Sequence, residues 1–153
     1  MQINIEERVE RARTNFTSGY NCSQSVALAF ADLFEVDPTL MATISASFGG
    51  GMGRLREVCG AVSGMSIIAG FISPAFDPTD RKAKSANYAL VQQFAEEFRR
   101  ENGSIICRDL LGLTVQKQEP TPDERTPEYY KKRPCAELVA MSARIVAEYI
   151  TSK

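Results

Sequence analysis

The chain has 153 residues, with 18 basic against 19 acidic side chains, four cysteines and no histidine. That length suits one domain that buries its own core without disulfide staples or a structural metal, and a net charge of −1 with no basic stripe argues against nucleic acid as a partner. Without histidine the usual proton shuttle and nitrogen metal ligand are missing, so any chemistry falls to sulfur.

The N-terminus from Met1 to Arg8 is charged where a signal peptide needs an apolar core, which predicts a cytoplasmic, reducing setting. The most apolar stretch, Ala61 to Ile72, is shorter than the ~20 residues of a spanning helix, so membrane insertion is not expected. Gly64, Ser66 and Gly70 also interrupt it. In a reducing compartment spaced cysteines are more often redox thiols or metal ligands than permanent bridges.

Helical periodicity dominates. Ile5, Val9, Ala12 and Phe16 share one face of a first helix, started by Asn4 with Glu7. Asn21 caps a second, with Cys22, Val26, Ala29, Phe30 and Leu33 inward, ending before Asp37-Pro38. Asp37 and Pro38 open a third, to about Ser47. The run Gly49-Gly50-Gly51-Met52-Gly53 is a loop, and a fourth helix follows from about Leu55 to Ile72, with Cys59 in its early part.

A fifth helix carries Ala83, Ala86, Leu90, Val91, Phe94 and Phe98 on one stripe and stops at Asn102-Gly103. Cys107, Leu110 and Leu111 form a short turn closed by Gly112. Thr114 to Arg133, polar and holding Pro120, Pro122 and Pro127, is an excursion over the surface suited to a lid. Pro134 introduces the last helix, with Cys135, Leu138, Val139, Ser142, Ile145, Val146 and Tyr149 inward. No period-two run competes. The expectation is an all-α, single-domain helical bundle over residues 1–153, with about five long helices plus short turns.

Cys22 and Cys135 fall in first helical turns, where free N–H groups favour a thiolate. Arg54 and Arg56 precede Cys59, Arg108 follows Cys107, and Lys131, Lys132 and Arg133 precede Cys135. Each cysteine also fits the apolar stripe of its helix and can be an inert small hydrophobe. No Cys-x-x-Cys pair is present, so any site is assembled in three dimensions. The Gly49 to Gly53 loop can present amides to an anion with Arg54 and Arg56 assisting, give access to Cys59, or serve as a connector. Tyr129-Tyr130 can dock a partner or lie in an ordinary surface segment.

Cys22, the element Cys59-Gly60-Ala61-Val62-Ser63-Gly64, and the isolated Cys107 and Cys135 together resemble the C_GCAxxG_C_C family of bacterial and archaeal redox-active proteins. The likeness runs from Cys22 to Cys135. It implies a redox or metal-associated role and carries over to Cys22, Cys59, Gly60, Ala61, Gly64, Cys107 and Cys135. Gly60, Ala61 and Gly64 would let a cofactor, or simply another helix, approach Cys59.

The preferred reading is a redox-active protein using the four thiolates for electron transfer or thiol–disulfide exchange. Cys59 and Cys135 are the candidate exchanging pair, because basic residues flank both, and a protein is the expected redox partner. A variant has Cys22, Cys59, Cys107 and Cys135 holding zinc or an iron–sulfur cluster. Two other classes stand beside it: a metal-binding or carrier module without turnover, and a helical interaction protein, for instance a homodimer, with inert buried cysteines.

Overall fold

The computed structural model describes residues 1–113 and 118–153. Helix α1 (Ile5–Thr17) starts where the Asn4 side chain accepts from the Glu7 amide at 3.0 Å, and it buries Val9, Ala12 and Phe16. Helix α2 (Cys22–Leu28) has a capping box built from Asn21 and Gln24. It is shorter than its periodicity predicts. The chain tightens into a 3-10 turn over Ala31–Phe34, ended by Glu35 in the left-handed region. Helix α3 (Pro38–Ser45) is capped by Asp37, which accepts from Leu40 N.

The short turn α4 (Gly49–Met52) is not regular helix: φ is positive at Gly50, Gly51, Met52, Gly53 and Arg54 in succession, and again at Arg56. Left-handed backbone disfavours L side chains by roughly 1–2 kcal/mol per residue, so such a run persists only where surrounding contacts hold it. Here they are amide bonds back along the loop, from Gly53 N to Ser47 O, Arg56 N to Gly50 O and Glu57 N to Gly51 O. This loop moves the start of the next helix. Helix α5 spans Gly60–Ile72, five residues later than the expected Leu55. Val58 pairs antiparallel with Ile106, Cys59 N donates to Ile105 O at 2.7 Å, and Cys107 N donates to Glu57 O at 2.6 Å. Those bonds hold Glu57 to Cys59 extended.

Helix α6 (Arg81–Asn102) begins at the Asp80 cap and ends at left-handed Gly103. Helices α7 (Cys107–Leu110), α8 (Pro127–Lys132) and α9 (Cys135–Thr151) complete the chain. Among the described residues the structure is all-α, with one isolated bridge and no strand. Four helices, α1, α5, α6 and α9, reach 13 residues or more, one fewer than expected. Part of the expected excursion, 114–117, lies outside the described residues, and Pro127–Lys132 within it is helical.

The principal packing pairs are α1 with α9 and α2 with α5, and α6 closes over α5 and α9. Phe16, Phe30, Phe94, Phe98, Met41, Met65 and Ile68 are fully buried between them, each large apolar side chain contributing on the order of 2–3 kcal/mol. The α2–α5 approach depends on Gly64: a Cβ there would lie 2.8 Å from Val26 Cβ and 2.9 Å from the Ser23 carbonyl. Helices this close bring their N-terminal ends, and with them Cys22 and Cys59, side by side. No helix among the described residues is long and apolar enough to cross a membrane.

Candidate functional site

All four cysteines begin helices. Cys22, Cys107 and Cys135 are the first residues of α2, α7 and α9, and Cys59 is the N-cap of α5. Sequence periodicity places two of them at helix starts. The others become so because the left-handed loop and the Val58–Ile106 bridge delay α5 and align it with α7. The four helix starts converge, and Cys22, Cys59, Cys107 and Cys135 line a single cavity of about 60 Å³.

The thiols there are not equivalent. The interaction between the neighbouring Cys22 and Cys135 thiols holds the Cys22 pKa well above its usual value, with burial adding to the rise. The same interaction lowers the pKa of Cys135, and the guanidiniums of Arg133, Arg56 and Arg125 lower it further against the cost of burial. Cys59 is pushed up to about 12 by burial, although the amides of Ala61 and Val62 partly counter this. Burial also raises Cys107, against Arg56, whose Nη1 donates to its sulfur at 3.4 Å. Of the four thiols in the pocket, Cys135 is the one whose ionisation its surroundings favour.

Basic residues near the cysteines in sequence do not all reach them. Arg54 turns to the Glu119 carbonyl and Asp123, Arg108 to Glu57, and Lys132 to Glu128 on the surface. Arg56, 5% exposed, passes by Cys59 and serves Cys107. Its Nε and Nη2 donate to the Gln118 side chain at 2.9 and 2.5 Å. Arg133 lies over the Tyr129 ring and is paired with Asp123 at 2.9 Å.

Arg125 carries no local sequence signal. It stacks over Phe16, Tyr129 and Tyr130 at 4.5, 4.9 and 5.7 Å, and donates to the carbonyls of Phe16 and Tyr20. Phe16 lies 109 residues away, so only the tertiary fold brings Arg125 to the thiols. Tyr129 and Tyr130 pack on Phe16 in the same cluster, so they frame the pocket. Gly60 lines the cavity and, with Gly64, packs on α2, while Ala61 is buried in the core.

Four sulfurs are the donor set of a zinc or iron–sulfur site. Among the described residues, however, no three His, Cys, Asp or Glu side chains are arranged around a common point where an ion could be held. As arranged, the described side chains do not form a ready metal centre.

Residues 20–149 match a family described as "putative redox-active protein (C_GCAxxG_C_C)", a span that includes every cysteine. The chain belongs to this family. No curated protein and no solved structure matches it. In this C_GCAxxG_C_C protein the Cys59-Gly60-Ala61 start of the family's central element is the helix junction that seats Cys59 at the mouth of α5 and Gly60 against α2, 3.1 Å from Cys22 for an added Cβ. The element works as packing that joins two cysteines.

Proposed function

We propose that this protein is a thiol–disulfide redox protein in which Cys135 attacks and Cys22 resolves. The observation that carries this reading is that Cys22 and Cys135, the first residues of α2 and α9, meet in one cavity, where their interaction and nearby guanidiniums lower the pKa of Cys135. A depressed pKa raises the thiolate fraction, and the thiolate is the attacking species.

The Cys135 thiolate attacks one sulfur of a partner disulfide, forming a mixed disulfide, and the displaced partner sulfur departs with the bonding pair. Cys22 then loses its proton and attacks the Cys135 sulfur, forming the Cys22–Cys135 disulfide and releasing the second partner thiolate. Two electrons pass from the cysteine pair to the partner. Cys59, the partner for Cys135 expected from sequence, lines the same cavity, but burial pushes its pKa up to about 12, so Cys22 is preferred as the resolving thiol.

The test is anaerobic reaction of the fully reduced chain with a small disulfide, bis(2-hydroxyethyl) disulfide, followed by mass analysis and peptide mapping. One internal disulfide joining Cys22 to Cys135 is expected. Four thiols still free, or a disulfide elsewhere, would overturn the assignment. Metal and sulfide analysis of the anaerobically purified chain separates it from the carrier reading, in which all four sulfurs are occupied and unreactive.

A further inference from the structure

The cysteine cavity is electrostatically unfinished. Of the three arginines that act on Cys135, only Arg133 has a carboxylate against it, Asp123, which is shared with Arg54. Arg56 bonds the Gln118 amide oxygen and the Cys107 thiol, and Arg125 bonds carbonyls and the Tyr130 hydroxyl, all neutral groups among the described residues. Two guanidiniums thus line the cavity beside the cysteines with no carboxylate against them among the described residues. Guanidinium is permanently charged and its planar fork matches an oxyanion, so the pocket is built to receive a further negative group.

Its size limits what that group can be. A cavity needs roughly 10–15 Å³ to admit one water, whose share of the liquid is about 30 Å³, so the 60 Å³ here suits a group of only a few atoms. A small oxyanion is of the size this space seats beside Cys135. With Cys135 as the nucleophile, the matching reagent is an oxyanion that also carries a transferable sulfur.

Resting on the thiol reading above, we propose that the cavity accepts a small sulfur oxyanion of the thiosulfate class, its oxygens toward Arg56 and Arg125 and its outer sulfur toward Cys135. The Cys135 thiolate bonds the outer sulfur. The sulfur–sulfur bond of thiosulfate breaks, and sulfite leaves with its electron pair, giving a Cys135 persulfide. Cys22 then attacks the inner, Cys135 sulfur. A Cys22–Cys135 disulfide forms, and hydrosulfide leaves with the electron pair and the Cys22 proton. A dithiol, protein or small molecule, restores both thiols by exchange.

The experiment treats the full-length reduced chain with thiosulfate under anaerobic conditions, reading released sulfite and the intact mass. Stoichiometric sulfite is expected, with a transient species one sulfur atom heavier than the reduced chain, mapped to Cys135 and absent in Cys135→Ser. Arg125→Gln should slow sulfite release at least tenfold. Added sulfate, which fills the anion site without donating sulfur, should slow it in the unaltered chain, so the test does not depend on that variant folding.

Absence of sulfite, while the hydroxyethyl disulfide still produces the Cys22–Cys135 bond, overturns this inference and leaves the thiol reading standing. Sulfite release indifferent to both sulfate and Arg125→Gln overturns the anion site. Failure with both reagents removes the two readings together.

Discussion

Cys22 and Cys135 line one cavity from the first residues of α2 and α9, and their interaction moves two chemically identical thiols apart, Cys22 upward in pKa and Cys135 downward. Replacing Cys22 with alanine removes that interaction, so the Cys135 pKa rises and its thiolate fraction at neutral pH falls. The alkylation rate of Cys135 with iodoacetamide, followed against pH, has its midpoint below 9 in the unaltered chain, the direction set by the lowered pKa. In Cys22→Ala that midpoint moves upward. An unmoved midpoint would show that the arginines alone set the reactivity.

Arg133→Met tests the second contribution. Its charge is the next favourable influence on Cys135 after the Cys22 thiol, so removing it also raises the alkylation midpoint. The guanidinium lies over Tyr129 and is paired with Asp123 at the surface. An exposed pair of this kind is worth ~0–1 kcal/mol. The variant therefore separates from Cys22→Ala by its salt response: added salt narrows its difference from the unaltered chain and leaves the Cys22→Ala difference intact.

Cys59, with Cys22 and Cys107, contributes to the alkaline limit of stability. Its pKa rises from 9.0 to about 12 on folding, so the folded state binds its proton more tightly than the unfolded chain does. That contribution is fully present below pH 9 and is lost as pH climbs toward 12. At ~1.4 kcal/mol per pH unit it amounts to about 4 kcal/mol. Denaturant unfolding between these pH values should therefore fall more steeply in the unaltered chain than in Cys59→Ala, and parallel curves would refute the assignment.

The fold was legible wherever burial repeats at helical spacing. Val9, Ala12 and Phe16, or Leu90, Phe94 and Phe98, announce α1 and α6, and Asn4, Asn21 and Asp37 announce the caps of α1, α2 and α3. The start of α5 was not, because it depends on tertiary bonds: Cys59 N to Ile105 O and Cys107 N to Glu57 O join segments far apart in the chain. At the site the sequence supplied the four cysteines and left open whether they meet. It did not supply Arg125, whose place rests on stacking against Phe16. Chain neighbours misled in the other direction, since Arg54 and Arg108 turn to carboxylates and not to sulfur.

Gly51 holds the left-handed loop against the site. With φ at +70°, a Cβ there would sit 2.7 Å from Cys107 Cβ, from Arg56 Cα and from Glu57 N. Gly51→Ala therefore meets both backbone strain, of order 1–3 kcal/mol, and a clash with backbone that cannot swing aside. A loss of ~2–4 kcal/mol in denaturant unfolding is expected, together with a changed alkylation rate at Cys107. Gly53→Ala is the control: its φ is also positive, at 55°, but its nearest neighbour is 4.0 Å away, so it shows the strain without the clash.

The buried Arg8 ties α1 to the turn after α2. Its Nη1 donates to the Ala29 carbonyl at 2.9 Å and, with Nη2, engages both carboxylate oxygens of Asp32. Arg8 holds the Asp32 pKa below 3.8, although Asp32 itself is half exposed. A depressed carboxylate stabilises the fold above its unfolded pKa and loses that contribution as pH falls through the folded value, so the acid limb should steepen below pH 3.8. Asp32→Asn keeps the shape, removes the charge and should flatten that limb. Arg8→Met should destabilise at every pH, because it strips a hydrogen bond from the buried Ala29 carbonyl as well as the ion pair. If Asp32→Asn leaves the acid limb unchanged, the ion pair does not shape acid unfolding, and the Ala29 bond is what Arg8 contributes.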